Sequence, residues 1–405
     1  MHFLFAWRYF KAKKSTNAIN IIAWVSMVAI IVITAAFIVL LSVFNGFEGL
    51  VKSLYSTFYA DMRIVPAEGK KILLTPDQLK KIAADPGVAD YSRIVEDKAL
   101  LQNGDVQAIV YLKGVDENFT KVSGVSGKII RGKYDLGNSE RAGIVLGSGV
   151  ENALALYTDR NLYPLTAYLF KPGVNITSID PLQAFSADNL NTTGTFFIQQ
   201  DIDNKFAVTS LRFMKEMLGF GPDEYGSLEF SLTEGQNPET VRDRLSKMLG
   251  KNYIVETRYE QNKSLYSVMT IEKYAIYGIL TLMLVVAAFT LVGALSMLVL
   301  EKREDIGVLK SLGASKSTIQ KIFLSEGVLL ACIGAGSGTL LALLICWAQE
   351  KFQLIAIQGG TFLISYYPVD VKTTDILIVL TTVLAISIGA SWMPARKATT
   401  TQIRR

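Results

Sequence analysis

Glu301-Lys302-Arg303-Glu304-Asp305-Ile306-Gly307-Val308-Leu309-Lys310-Ser311-Leu312-Gly313-Ala314 is a charged segment held between two long apolar runs. Turning a chain between two membrane helices takes only a few residues and needs no amphipathic pattern. This stretch has one. At 100° per residue Arg303 and Lys310 share one side of a helix, while Val308, Leu309 and Leu312 lie nearly opposite. Gly313 suits the left-handed position that ends a helix, and Ser315 can cap the next. The segment is therefore expected to be a short helix with a surface to offer, and its flanks to be membrane spans.

Half of the 405 residues are apolar and mean hydropathy is positive, which sets the chain apart from soluble proteins. Asp, Glu, Lys and Arg are absent from 15–47, 274–300, 327–349 and 376–395. Each run reaches the roughly 20 residues that cross about 30 Å of hydrocarbon as a helix. Four spans are expected, at 19–47, 273–300, 316–349 and 374–395. The first run is longer than the ~7–15 apolar residues of a cleaved signal peptide, so it is read as a retained anchor.

The short flanks set the orientation. Arg8, Lys11, Lys13 and Lys14 lie in 1–18, Lys302, Arg303 and Lys310 in 301–315, and Lys316 and Lys321 just beyond. Arg396, Lys397, Arg404 and Arg405 lie in the tail 396–405. The positive-inside tendency puts these flanks and both termini in the cytosol, and 48–272 and the loop 350–373 outside. The net charge of +5 is mostly this orientation signal. Without a clustered basic face in a soluble domain, no nucleic-acid partner is expected. Cys332 and Cys346 both fall in the third span, so the outer domain is expected to hold together without disulfides.

That outer domain reads as α+β. Met62–Pro66 looks extended, Thr75 and Pro76 start a helix, and Val106–Leu112 reads as a strand. Near its far end Leu228–Leu232 alternates, Asn237 and Pro238 start a second helix, and Tyr253–Glu256 is extended. The two strand–helix–strand units are expected to pack together, with a second lobe at about 119–224 threaded into the first. Within it, 172–194 is rich in turn residues, among them Pro172, Gly173, Asp180 and Pro181. This is either a surface loop or a protruding hairpin that grips a partner.

Several chemistries are missing from the sequence. There is no Gly-x-x-x-x-Gly-Lys-Ser/Thr loop for ATP phosphates, and the sole histidine, His2, leaves no His triad and few metal sites. No carboxylate lies in the middle of a span, so a proton relay has nothing to run on. Glu326, near the cytosolic end of the third span, could snorkel or pair with Lys321. Gly327, Gly334, Gly336 and Gly338 give the same span a face for close helix packing. Phe37, Leu41, Phe44 and Phe47 on the first span, with Tyr266, Met269 and Tyr274 at the approach to the second, either anchor the helices or line an apolar groove in a dimer. Nothing here suggests catalysis, a metal or a cofactor on this chain.

One helix, a large external domain and three further helices resemble the MacB/FtsX-like (type VII) ABC-transporter permeases. Glu301–Ala314 is similar to that family's segment between spans two and three, and Trp392-Met-Pro-Ala-Arg-Lys-Ala398 to its closing Tyr-Pro-Ala-Arg-x-Ala. Phe5-Ala-Trp-Arg-Tyr9, Lys13-Lys14 and Leu41-Ser-Val-Phe-Asn-Gly-Phe47 resemble the lipoprotein-releasing LolC/LolE branch. The tail, Thr-Thr-Thr-Gln-Ile-Arg-Arg, departs from the family's Pro-Ala-x-x-Leu-Arg. The resemblance implies a multi-pass subunit of the bacterial inner membrane that works by mechanotransmission. A separate cytosolic ATPase dimer, carrying ATP and Mg, would push on Glu301, Lys302, Arg303, Asp305, Ile306, Gly307, Leu309, Lys310, Leu312 and Gly313. A second permease copy or a paralogue would complete the groove. A lipoprotein would pass from membrane lipid through it to a periplasmic carrier. Alternatives are a MacB-like exporter feeding an outer-membrane channel and an FtsX-like regulator of a cell-wall hydrolase.

Overall fold

The computed structural model describes residues 17–138, 140–160, 164–171, 184–356 and 366–400. It has two compact units, one built from residues up to Leu50 and from Ser267, the other from Val51–Tyr266. In chain order its longer helices are α1 (Asn17–Phe58), α2 (Pro76–Ala83), α3 (Leu211–Leu218), α4 (Pro238–Leu249), α5 (Lys263–Glu301), α6 (Arg303–Ser311), α7 (Lys316–Phe352) and α8 (Thr373–Thr400).

Among the described residues, four helices (α1, α5, α7 and α8) are long and apolar enough to cross a membrane. α1 does not stop where its apolar run ends. No proline interrupts Glu48–Phe58, and the helix continues to Phe58 over 42 residues, about 63 Å at 1.5 Å per residue. The spans share one apolar core, with Phe37 from α1, Leu291 from α5, Phe323 from α7 and Val383 from α8. The α7 glycines serve packing within this chain. A Cβ at Gly334 would lie 2.7 Å from Ile30, and one at Gly338 2.7 Å from the Ile31 carbonyl, so α1 rides directly on the α7 backbone. Gly327 is pressed by Ser391 of α8, while Gly336 has nothing near it. Glu326 is 2 % exposed, so its side chain is buried among the spans and does not snorkel out.

The other unit is built on one ten-stranded sheet. Its strands, together with a separate two-stranded pair, are β1 (Met62–Pro66), β2 (Ile72–Leu73), β3 (Val88–Asn103), β4 (Val106–Val115), β5 (Ile129–Gly132), β6 (Gly143–Gly147), β7 (Leu165–Phe170), β8 (Phe185–Phe196), β9 (Phe206–Ser210), β10 (Glu224–Tyr225), β11 (Ser227–Leu232) and β12 (Tyr253–Thr257). The sheet order is β12-β1-β11-β3-β4-β9-β6-β8-β5, with β7 beside β3 and β8, and β2 pairing β10 apart from it. β1 lies between β11 and β12, so the two ends of the insert meet in adjacent antiparallel strands. α2 starts where its cap residue dictates, Thr75 and Gln78 forming a reciprocal capping box, and Asn237 caps α4 by accepting from Glu239 N–H.

Two apolar cores lie on this sheet. One gathers β1, α2, β11, α4 and β12 around Phe230 and Leu245; the other gathers β4, β6–β9 and α3 around Leu112, Leu146 and Met214. The seam falls inside β3, whose Val88 belongs to the first core and whose Val95, Ala99 and Leu101 belong to the second. A sixteen-residue strand that pairs with β11 at one end and β4 and β7 at the other makes the lobes continuous, so the second begins well before residue 119. Asn189–Gly194 is likewise strand rather than turn. β8 pairs with β7 and β6, and cross-strand pairing outweighs the residues' poor strand propensity. Pro172, Gly173, Asp180 and Pro181 lie outside the described residues.

At the middle of the sheet is a buried ion pair that the sequence does not announce. Lys113 Nζ donates to both Glu229 oxygens, at 2.8 and 2.9 Å, with side-chain exposures of only 1 % and 3 %. The ammonium also lies 5.0 Å from the ring centre of Phe58 and 5.2 Å from that of Phe119. The last residue of α1 is thus seated against the sheet by a charged cluster.

Candidate functional site

α6 begins immediately after α5, with only Lys302 between them. Glu304 and Asp305 sit in its first turn and Lys310 in its last, the order that complements a helix dipole. It ends as expected. Gly313 adopts φ +88°, and Gly313 N–H and Ala314 N–H return to the Lys310 and Leu309 carbonyls. Ser315 then caps α7 by accepting from Thr318 N–H at 3.1 Å.

What the helix offers differs from the simple two-sided wheel. Ile306 is 3 % exposed and belongs to the core of the spans, and Gly307 is also buried. These two seat the helix and are not available to a partner. Lys310 is a tether, its Nζ donating to the Thr399 carbonyl of α8 at 3.2 Å. Lys302 pairs with Asp305 at 3.2 Å, and Leu309 is half-buried. The exposed apolar surface is a strip in which Val308 and Leu312 are 60 % and 79 % exposed, with exposed Glu304 beside it. The helix is held both by its own core and by the closing helix, and exposed apolar residues on such a helix are a surface available for contact.

The groove residues separate. Phe37 and Leu41 are wholly inside the bundle, Phe37 packing edge-on to Tyr277 with ring centres 5.1 Å apart. Both belong to the core of the spans, so in this chain they do not present a surface. Tyr266 is buried in the sheet unit against Tyr259, ring centres 4.9 Å apart, and Met269 is also buried. Phe44 and Phe47 are half-buried and Tyr274 is 73 % exposed. Tyr274 opens an apolar strip along α5 (Ile279, Leu282, Val286, Phe289), all exposed.

The segment Leu41–Phe47 instead reveals a polar clasp. Asn45, 1 % exposed, donates from Nδ2 to Asp375 Oδ2 at 2.6 Å and accepts from Lys273 Nζ at 2.8 Å. Lys273 and Asp375 are 3.5 Å apart. The Asp370 N–H donates to the Ser42 carbonyl, and a Cβ on Gly46 would overlap the Pro368 carbonyl. Three spans and the 366–372 segment are thereby tied at one level. Lys273 and Asp375 were missed as a site because each flanks a charge-free run and reads as a boundary. Opposite charges at the same end of two spans were the available signal.

Residues 23–248 match the MacB-like periplasmic core domain family, and 277–403 match the FtsX-like permease C-terminal family. The chain belongs to the MacB/FtsX-like permease family. Lipoprotein-releasing system transmembrane protein LolC of Neisseria meningitidis serogroup B is 28 % identical, over 99 % of this chain and 98 % of that one. LolE of Haemophilus influenzae is 26 % identical over 98 % and 96 %. The periplasmic region of MacB from Actinobacillus actinomycetemcomitans aligns over 54 % of this chain and 98 % of its own, at TM-score 0.35 and 12 % identity. In this MacB/FtsX-like permease α6 lies inside the FtsX-like part, and the clasp draws on both matched regions.

Proposed function

We propose that this permease subunit extracts lipoproteins from the outer leaflet of a bacterial inner membrane and hands them to a periplasmic carrier, driven by ATP hydrolysis on a separate cytosolic ATPase. The end-to-end correspondence with relatives named for lipoprotein release carries this reading. The ATPase would press on the Val308–Leu312 strip of α6. Ile306 and the Lys310 tether would pass that force into the spans. The exposed α5 strip beginning at Tyr274 would face a second copy or a paralogue, and the lipid tails of the cargo would lie between them.

The test is release from reconstituted membranes containing a matched ATPase and carrier. Val308→Asp with Leu312→Asp places two charges on the strip without disturbing buried residues. Release should fall at least tenfold, about 1.4 kcal/mol of coupling, while membrane insertion and the helical content stay normal. Unaltered release would refute the strip as the coupling surface. Failure of the unsubstituted protein to release any lipoprotein would refute the cargo.

A further inference from the structure

α7 ends where one glutamine turns the chain back. Gln353 takes φ +50°, the left-handed position that usually falls to glycine, and its N–H returns to the Gln349 carbonyl at 2.8 Å. Buried Gln349 spends both ends of its side chain on the same turn. Its Nε2 donates to the Ile355 and Tyr367 carbonyls at 3.1 and 3.2 Å, and its Oε1 accepts from Ile355 N–H at 3.0 Å. The Tyr367 N–H then closes on the Ile355 carbonyl at 3.2 Å.

The turn so built holds large apolar side chains outward. Phe352, Leu354 and Ile355 are 58, 69 and 61 % exposed. Trp347 meets Phe352 edge-on, ring centres 5.9 Å apart, and the Lys351 ammonium lies 5.1 Å from the centre of the Trp347 ring and 5.8 Å from that of Phe352. Trp347 and Lys351 also complete a stripe that starts inside the span, for Leu340, Leu344, Trp347 and Lys351 recur at helical spacing and are all exposed. Glu350 is exposed too, about 100° round the helix from Lys351. Depth decides what surrounds this cluster. The charge-free run 327–349 is about 34 Å long as a helix against about 30 Å of hydrocarbon, so Trp347 to Ile355 fall where acyl chains give way to head groups. Aromatic rings with a polar edge, and a lysine with a long apolar stem, are the side chains that suit that boundary.

We propose that the end of α7 and the turn after it form a foot seated in the adjacent leaflet, with Phe352, Leu354 and Ile355 among the upper acyl chains and the Lys351 ammonium on a phospholipid phosphate. The opening residues of 350–373 then lie in lipid rather than in water. The charges are complementary, because the phosphate is anionic and Lys351 pairs with no carboxylate among the described residues. The foot also continues the exposed apolar face of α7 without a break. Through Tyr367 it runs into the 366–372 segment, whose Asp370 N–H holds the Ser42 carbonyl, so the foot sets the level of the clasp against the leaflet. The lipid contact requires only that α7 span the membrane, and it stands whatever the cargo.

The probe is a nitroxide on Leu354→Cys, in the full chain with Cys332→Ala and Cys346→Ala, held in nanodiscs of phosphatidylethanolamine and phosphatidylglycerol. Leu354 is exposed, so the label displaces no core residue. Its collisions with oxygen, which concentrates in lipid, and with a water-soluble nickel chelate are measured. The references are the same label on Leu340→Cys, within the span, and on a short soluble peptide. The label at 354 should sit about 5–10 Å below the phosphate plane, with nickel collisions far rarer than on the peptide and oxygen collisions approaching those at Leu340→Cys. Lys351→Glu should shift the label toward water, since a carboxylate there repels the phosphate. Nickel collisions as frequent as on the peptide would put the turn in water, and rare collisions with both reagents would mean that protein covers it. Either result overturns the proposal, as would a label that Lys351→Glu leaves at the same depth.

Discussion

Removing the Lys113 ammonium is the sharpest physical test of the sheet unit. At 2.8 Å and an effective dielectric constant near 20 the attraction to Glu229 is about 6 kcal/mol, and transferring each ion from water costs several kcal/mol. The intact pair therefore contributes little net stability. Lys113→Met, however, leaves the almost fully buried Glu229 carboxylate without its hydrogen-bonded ammonium, only the more distant Arg63 charge remaining, and breaking one side of such a pair costs up to about 3–5 kcal/mol. The contacts of the ammonium with Phe58 and Phe119 disappear as well, although the methionine thioether recovers part of the packing. All four tryptophans lie outside Val51–Tyr266, so tryptophan fluorescence does not report on this unit. Hydrogen exchange of the β4 and β11 amides in the full chain does. A loss of 3 kcal/mol through unfolding-limited exchange accelerates those amides by roughly 100-fold. Lys113→Met with Glu229→Met should restore most of the protection, because an apolar pair of similar volume replaces a buried ionic one at little cost. Acceleration of less than about fivefold in the single variant, or a double variant as unprotected as the sum of the singles, would refute the account.

Two further outcomes follow from particular contacts. Asp203 is 1 % exposed, and burial raises its pKa to about 6, against the pull of the Ile198 and Gln199 N–H groups. The native state therefore holds this proton more tightly than the unfolded chain, and the group's contribution to stability falls as pH rises from about 4 to about 6. Asp203→Asn keeps an acceptor for Ile198 N–H, so it should stabilise the sheet unit by about 2 kcal/mol at pH 7.5 and by only about 0.5 kcal/mol at pH 4, read from β6 and β9 amide exchange; an equal gain at both pH values would contradict it. Gly46→Ala should displace the 366–372 segment, since its Cβ would overlap the Pro368 carbonyl and lie 2.7 Å from Val369 N. The Asp370 amide should then lose the protection it draws from the Ser42 carbonyl, and retained protection would show that the close approach is absent.

The spans were legible because charge is expensive in hydrocarbon, so its absence over four long runs leaves few other readings. Caps were legible for a local reason. Thr75 with Pro76, Asn237 with Pro238, and Gly313 act within a few residues of themselves. The clasp was not legible, because Asn45, Lys273 and Asp375 come from three helices and only assembled packing brings them within hydrogen-bonding distance. Lys113 and Glu229 were hidden for the same reason, as was the seam within β3, which depends on which neighbours each half of one strand acquires. α6 stands between these cases. Its helix and its terminator were written locally, but the side it turns outward was not. Periodicity put Arg303 and Lys310 on one side and Val308, Leu309 and Leu312 nearly opposite, without saying which side faces outward. The core claims Ile306 and α8 claims Lys310, leaving Val308 and Leu312 as the surface. An amphipathic pattern gives the relative angles of side chains around a helix. The rotation of that helix is set by what it packs against, and here the tether to the Thr399 carbonyl fixes which residues remain for a partner.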